Sequence, residues 1–70
     1  MRNILRIVVE TNRTKVVAQL QREGWELRHG GRHDIYIHPQ FPDRAVVVPR
    51  HRTLSPGVAR AIAKAAGWIT

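Results

Sequence analysis

Two adjacent glycines, Gly30 and Gly31, separate two stretches of the chain in which apolar and polar residues alternate. Glycine adopts positive φ angles without steric cost, so a glycine pair between alternating stretches is typical of the tight turn of a β-hairpin. The stretches before and after the turn, 25–29 and 32–38, show the period of two that half-buried strands have. The sequence therefore predicts an antiparallel hairpin, which any fold of this chain has to accommodate.

An amphipathic helix is predicted to precede the hairpin, over about residues 13–23. Either Thr11 or Asn12 can cap its N-terminus, because a short side-chain oxygen accepts hydrogen bonds from the N–H groups of the first turn. Gly24 has the position of a helix stop. The predicted apolar stripe of this helix consists of Val16, Val17 and Leu20.

A third strand and a second helix are predicted after the hairpin. Residues 44–49 are typical of a strand that ends at a proline, and their run of valines predicts the most protected strand of the sheet. Ser55 is the expected N-cap of the helix, with Pro56 at its first position and Gly67 after its end. The stripe expected to be buried consists of Val58, Ala61, Ile62, Ala65 and Ile69.

The order of these elements predicts an α+β fold. Because the links between the strands are short, the strands should form a three-stranded antiparallel sheet with both helices packed on one face. This is the α-β-β-β-α arrangement of double-stranded-RNA-binding domains (dsRBDs). Residues 11–70 are expected to form a single domain and residues 1–10 a partly ordered extension. The pattern leaves open which face of the second strand meets the helices, since Ile35 and Ile37 lie on one face and Tyr36 on the other.

The chain carries a large excess of positive charge, with 12 Lys and Arg against 5 Asp and Glu and a net charge of +7. Ten of the twelve are arginine, whose guanidinium binds phosphate through two parallel donors. A small domain with this imbalance usually meets a polyanion. Nucleic acid or an acidic protein partner is therefore favoured over charge that serves only solubility.

The composition also excludes several classes of protein. The chain has no cysteine, which rules out disulfides, cysteine-based zinc sites and thiol nucleophiles. No apolar run approaches the roughly 20 residues of a membrane-spanning helix, and the first ten residues are too short and too charged for a secretory signal. A cytoplasmic protein is expected, without a cofactor, a membrane partner or a small-molecule ligand.

His33 is the candidate catalytic residue, because it follows the predicted turn almost at once. A side chain at that place has a rigid strand below it and solvent on its other side. Histidine suits a general base near neutral pH, since its unperturbed pKa is about 6.5. On the residues alone, a solvated turn histidine without a catalytic role is an equally good interpretation.

A set of short motifs extends over about residues 11–68. The set comprises Gly24-Trp25, Gly31-Arg32-His33, Tyr36, His38-Pro39, the stretch 46–49, Leu54-Ser55-Pro56-Gly57 and Ala66-Gly67. In this order and spacing the motifs resemble the HicA toxins of bacterial HicA–HicB toxin–antitoxin pairs. The resemblance implies a dsRBD-like fold, ribosome-independent cleavage of mRNA and neutralisation by a HicB-type antitoxin. It also implies that His33 is catalytic, as the histidine of a Gly-Ser-His motif in which Arg32 replaces the serine.

Cleavage of RNA without a metal requires a base for the 2′-hydroxyl proton and positive charge at the phosphate. His33 is the expected base, and general acid–base assistance is worth about 10²- to 10⁴-fold in rate. Arg32 is its neighbour but would point to the opposite face if both residues lay on a regular strand. The candidates for binding the RNA backbone are Arg28, Arg32, Arg50 and Arg52.

Other residues admit several roles. His29 could approach His33 across the hairpin, and His51 is a further candidate for a second histidine, whereas His38 is expected to be hydrogen-bonded within its loop. A metal site is not expected, because no cysteine or carboxylate cluster completes a set of four ligands. Trp25 and Tyr36 are expected in the core rather than as stacking platforms for bases.

The leading prediction is a metal-independent endoribonuclease toxin that acts on mRNA and is held inactive by an acidic antitoxin. Two other classes remain open from the sequence. One is a module of the same fold that binds RNA or DNA without cutting it, and the other is a purely protein-binding domain with a positive surface.

Overall fold

The structure, a computed structural model, describes residues 9–69, and for His29 and Gly30 it describes the backbone alone. The elements are α1 Arg13–Arg22, β1 Glu26–Gly30, β2 His33–Ile37, β3 Ala45–Pro49 and α2 Pro56–Ala65. This α-β-β-β-α order with an antiparallel sheet confirms the predicted α+β class. Most of the predicted extension, residues 1–8, lies outside the described residues. Within 9–69, neither helix has the length and apolar character needed to cross a membrane.

β1 and β2 form the predicted hairpin, but its turn lies one residue later than predicted. Gly30 pairs with His33, so the two loop residues are Gly31 and Arg32. Gly31 has a φ of +72° and Arg32 has a negative φ, which is the combination found in a type II′ turn. Arg32 therefore lies at the tip of the hairpin and not on the strand.

The sheet has the order β1-β2-β3, so β2 is central and β3 is an edge strand. The prediction that the valine run forms the most protected strand is wrong. Val46 and Val48 are fully buried, but Val47, between them, is 47% exposed. A strand that is covered on one face buries only alternate residues, so the valine at position 47 reflects β-propensity rather than burial.

The core lies between the helices and one face of the sheet. Its buried residues are Val16, Leu20, Trp25, Tyr36, Val46, Val48, Leu54, Ala59, Ile62 and Ala66. The burial of Tyr36 decides which face of β2 meets the helices. Residues directly opposite one another on paired strands share a face, so the register defines the other face, which we call the open face. It carries Glu26, Arg28, His33, Ile35, Ile37, Ala45, Val47 and Pro49.

α1 begins and ends as predicted. The Asn12 side chain caps it by accepting a hydrogen bond from the Lys15 N–H at 3.1 Å. Gly24, with a φ of +96°, follows the C-cap residue Glu23. Val16 and Leu20 are buried, as the predicted stripe requires, and Val17, the third residue of that stripe, packs against the edge of the core.

α2 begins at the predicted cap, where the Ser55 hydroxyl accepts a hydrogen bond from the Val58 N–H. Its buried face, however, is rotated relative to the predicted stripe and consists of Ala59, Ile62, Ala63 and Ala66. Of the predicted stripe only Ile62 is buried, whereas Ala61 is exposed and Val58 and Ala65 are half-buried. The helix has small apolar residues on more than one side, so their spacing alone does not identify the side that packs.

Candidate active site

His33 is the first residue of β2 and lies between two strand ends. Gly30 is opposite it on β1, and Pro49 is opposite it on β3. The side chain is exposed and belongs to the open face. Among residues 9–69, no hydrogen bond involves the His33 ring. The imidazole is thus mounted on the central strand and is available to a ligand that approaches from solvent.

Asp34, the next residue, points to the opposite face and binds two arginines. Its Oδ2 accepts a hydrogen bond from Arg13 Nη2 at 2.6 Å, and its Oδ1 accepts one from Arg50 Nε at 3.0 Å. Arg13 also donates its Nε–H to the Pro49 carbonyl at 2.8 Å. One carboxylate therefore joins the start of β2, the end of β3 and the first turn of α1, which fixes the strand end that carries His33.

The segment after β3 is attached to the start of α1 through its backbone. Arg13 donates its N–H to the Arg52 carbonyl at 3.1 Å, and Asn12 forms a β-bridge with Thr53. This attachment holds the segment at the same end of the sheet as His33. The basic residues collected at this end are Arg13, Arg32, Arg50, His51 and Arg52.

The two arginines lower the pKa of the Asp34 carboxyl below its ordinary value of 3.8. Desolvation by itself raises this pKa, but the hydrogen bonds and charges of Arg50 and Arg13 together outweigh it. A carboxyl whose pKa is lower in the folded than in the unfolded protein stabilises the fold above its unfolded pKa. That stabilisation is lost as the pH falls through the folded pKa.

Replacing Asp34 with asparagine is therefore expected to flatten the acid dependence of stability. The wild-type protein should lose the stability that Asp34 contributes as the pH falls below the ordinary carboxyl pKa and through the lowered folded pKa. Asp34→Asn should be less stable than the wild type near pH 7, and its stability should fall less on acidification. Urea unfolding at a series of pH values from neutral to acidic measures both effects. Asp43→Asn, at an exposed carboxylate without an ion pair among the described residues, is the matched control and should keep the wild-type dependence. An unchanged acid dependence in Asp34→Asn would contradict the assignment.

The four arginines predicted to bind RNA occupy different places. Arg28 is exposed on the open face, diagonally across the hairpin from His33. Arg32 is exposed at the hairpin tip, and Arg52 is exposed in the segment that joins β3 to α2. Arg50 is bound to Asp34, so its guanidinium is turned towards the helix-covered side of the sheet, opposite to His33. Arg28 therefore shares a face with the imidazole, and the other three surround the same end of the sheet.

Arg13 is a residue of this region that sequence reasoning missed. It is the first residue of α1, where a cation opposes the helix dipole, and the first turn of α1 contains no acidic residue. A basic residue in that unfavourable position is a sign that it has a partner elsewhere in the fold. The partner, Asp34, is 21 residues away and could not be identified from local pattern.

The other histidines have separate positions. The His38 ring is buried and uses both nitrogens, because Nε2 lies 2.8 Å from the Glu23 carbonyl and Nδ1 accepts the Gln40 N–H at 3.1 Å. The contact with Gln40 confirms the predicted hydrogen bond within the loop. His33 begins β2 and His38 follows its last residue, so the two histidines lie at opposite ends of this strand. His51 is exposed in the segment after β3. The proposed approach of the His29 side chain to His33 lies outside the described residues.

Neither predicted core aromatic is available for stacking on bases. Trp25 is 3% exposed and Tyr36 is 2% exposed, which confirms that both belong to the core. Burial and the neighbouring Asp34 carboxylate raise the pKa of the Tyr36 phenol, so this side chain stays neutral near pH 7. Within the described part of the chain, no group of three or more His, Cys, Asp or Glu residues is arranged to hold a metal ion.

Fold and site together define a small, basic domain of the dsRBD-like α+β class, with an exposed histidine at one end of the central strand. The chain belongs to the HicA toxin family: residues 13–68, from α1 to beyond α2, match the family model described as the HicA toxin of bacterial toxin–antitoxin systems. This confirms the resemblance seen in the sequence and implies an antitoxin partner. A search of curated proteins gave no match.

Proposed function

We propose that the protein is a metal-independent endoribonuclease that cleaves mRNA in the cytoplasm, with His33 as the general base. The observation that carries this proposal is the exposed imidazole without a hydrogen-bond partner among the described residues, mounted on the central strand of a strongly basic member of the HicA family. The family membership supports a toxin, and the placement of His33 supports a reaction that starts with proton abstraction.

The reaction needs few groups. A neutral His33 ring nitrogen takes the proton of a ribose 2′-hydroxyl, and the 2′-oxygen attacks the adjacent phosphorus in line with the leaving 5′-oxygen. The bond from phosphorus to the 5′-oxygen breaks, leaving a 2′,3′-cyclic phosphate and a 5′-hydroxyl that takes up a proton. Base assistance of this kind contributes about 10²- to 10⁴-fold. No step requires a metal ion.

Arginines are proposed to hold the RNA backbone. Arg28 is suited to the phosphates that pass over the open face, because it lies on the same face as His33. Arg32 and Arg52 are exposed at the end of the sheet and extend the positive surface. Arg50 donates its Nε–H to Asp34 on the side of the sheet opposite His33, and its two terminal nitrogens form no hydrogen bond within residues 9–69, so they are proposed to bind a phosphate at the end of the sheet rather than beside the imidazole. Contacts of this kind position the backbone without reading sequence.

A HicB-type antitoxin is the proposed regulator. Such a partner inhibits most directly by covering His33, and the net charge of +7 favours an acidic protein. Coverage of an exposed histidine on an open sheet face requires no rearrangement of the toxin fold.

Purified protein incubated with RNA in EDTA tests the proposal. We expect products to accumulate at the same rate with and without chelator. Binding that is salt-dependent but yields no products would instead indicate a non-catalytic nucleic-acid-binding module of the same fold. Absence of any affinity for RNA would indicate a domain that binds only protein. Either of these two results would overturn the ribonuclease assignment.

A further inference from the structure

α2 presents an apolar stripe that packs against the core only along its edge and is partly open to solvent. Val58, Ala61 and Ala65 lie three and four residues apart, so they share one side of the helix. Ala61 is exposed, and Val58 and Ala65 are only half-buried. Arg60 and Lys64, both exposed, lie on a different side of the same helix. α2 therefore has three sides: one in the core, one basic, and one apolar side that the core covers only in part.

The open apolar side of α2 borders the edge strand of the sheet. Between them lies a groove with a volume of about 380 Å³, which we call the β3–α2 groove. On the strand side it is lined by Ala45, Val47 and Pro49, and on the helix side by Val58, Ala61 and Ala65, with Ile62 between helix and core. None of these residues has a polar side chain. Val47, in the middle of the strand side, is 47% exposed.

The groove is continuous with the candidate active site. Its strand side belongs to the open face, and Pro49, at one end of the groove, is the residue that pairs with His33. Ile35, the next residue on the open face of β2, is opposite Val47. A molecule that fills the groove and extends across the open face thus covers His33.

Charge and chemistry identify the occupant. RNA is a poor candidate, because phosphates require cations or donors and the side chains that line the groove offer none. A second copy of the chain is disfavoured, since each copy carries a net charge of +7. An acidic protein with exposed apolar side chains complements both the apolar lining of the groove and the positive charge of the chain. We propose that the β3–α2 groove is the anchoring site for apolar side chains of the acidic antitoxin, an inference that rests on the proposed toxin function.

The proposal is tested with the purified product of the reading frame adjacent to this one as the antitoxin probe. Ala61→Gln and Val47→Gln place a polar side chain on the helix side and on the strand side of the groove, both at exposed positions. Each should raise the Kd for the probe about tenfold or more, because the affinity of an interface is concentrated in its buried apolar anchors. Lys64→Gln, on the basic side of the same helix, is the control and should change the Kd by less than about threefold.

RNA cleavage by the free variants is measured in parallel and should match the wild-type rate, since neither side chain belongs to the proposed catalytic or RNA-binding groups. If the groove variants bind the antitoxin more weakly but the wild-type protein does not cleave RNA, the groove proposal would stand and the ribonuclease proposal would be refuted. Four results would overturn the groove proposal: no binding of the probe to the wild type, unchanged affinity in both groove variants, an equal loss of RNA affinity in them, or a wild-type dimer that the groove variants convert to a monomer.

Discussion

Replacing His33 with alanine is expected to lower the rate of RNA cleavage by about 10²- to 10⁴-fold, the range that a general base contributes. RNA affinity should change little, because the proposed backbone contacts come from arginines and the imidazole is proposed to act on a proton. The fold should also persist, since the side chain is exposed and its ring forms no hydrogen bond among residues 9–69. Initial rates on one RNA, together with titrations of binding at two salt concentrations, measure the two effects separately.

Lys64→Ala provides the control for this experiment. Lys64 is an exposed cation on the basic side of α2, away from the hairpin end of the sheet, so its removal should leave the cleavage rate within about twofold. His33→Ala with wild-type activity would remove the proposed base. Loss of both cleavage and binding in His33→Ala, with the fold intact, would instead assign His33 to RNA binding.

The largest expected effect on stability follows from replacing Gly24 with alanine. Gly24 has a φ of +96°, which costs a residue with a side chain about 1–2 kcal/mol. A Cβ at this position would lie 2.9 Å from His38 Nε2, the atom that contacts the Glu23 carbonyl. The substitution therefore also disturbs a part-buried hydrogen bond, and leaving its groups unsatisfied costs about 1–3 kcal/mol. We expect a loss of about 2–5 kcal/mol in the free energy of unfolding, measured by urea denaturation.

Gly57→Ala is the matched control for the glycine prediction. Gly57 lies in α2, and a Cβ added there would have no other atom within 4 Å. Alanine in a helix loses less backbone entropy than glycine, so stability should be unchanged or rise by about 0.5–1 kcal/mol. Equal destabilisation by Gly24→Ala and Gly57→Ala would contradict both proposed causes, the positive φ of Gly24 and its close approach to His38.

The elements of the fold could be predicted because their signals are local. Asn12 and Ser55 cap helices through contacts three residues away, and a positive φ at Gly31 makes the hairpin turn. The side of α2 that packs could not be predicted, since Ala59 and Ala61 are chemically identical and only the position of the sheet distinguishes them. The exposure of Val47 likewise depends on the helices covering only one face of the sheet, which the valine run does not reveal.

In the candidate site, too, some features could be predicted from local sequence signals and others depend on contacts between distant residues. His33 was identifiable from its place after the turn and from its resemblance to the family motif. The contacts of Asp34 with Arg13 and Arg50 join residues 21 and 16 positions apart, so no local sequence pattern predicts them. They also turn the Arg50 guanidinium away from the His33 face, a consequence of the strand alternation that places Asp34 and His33 on opposite sides.

The central claim is that His33 removes a ribose 2′-hydroxyl proton. Its most direct test compares an RNA whose cleavage position has been mapped with the same strand carrying one 2′-deoxyribose on the 5′ side of that position, both in EDTA. The account predicts that the wild-type protein cleaves the first strand and leaves the second intact there, and that His33→Ala cleaves neither at an appreciable rate. Cleavage of the deoxy-substituted strand at the mapped position, or wild-type rates from His33→Ala, would contradict it.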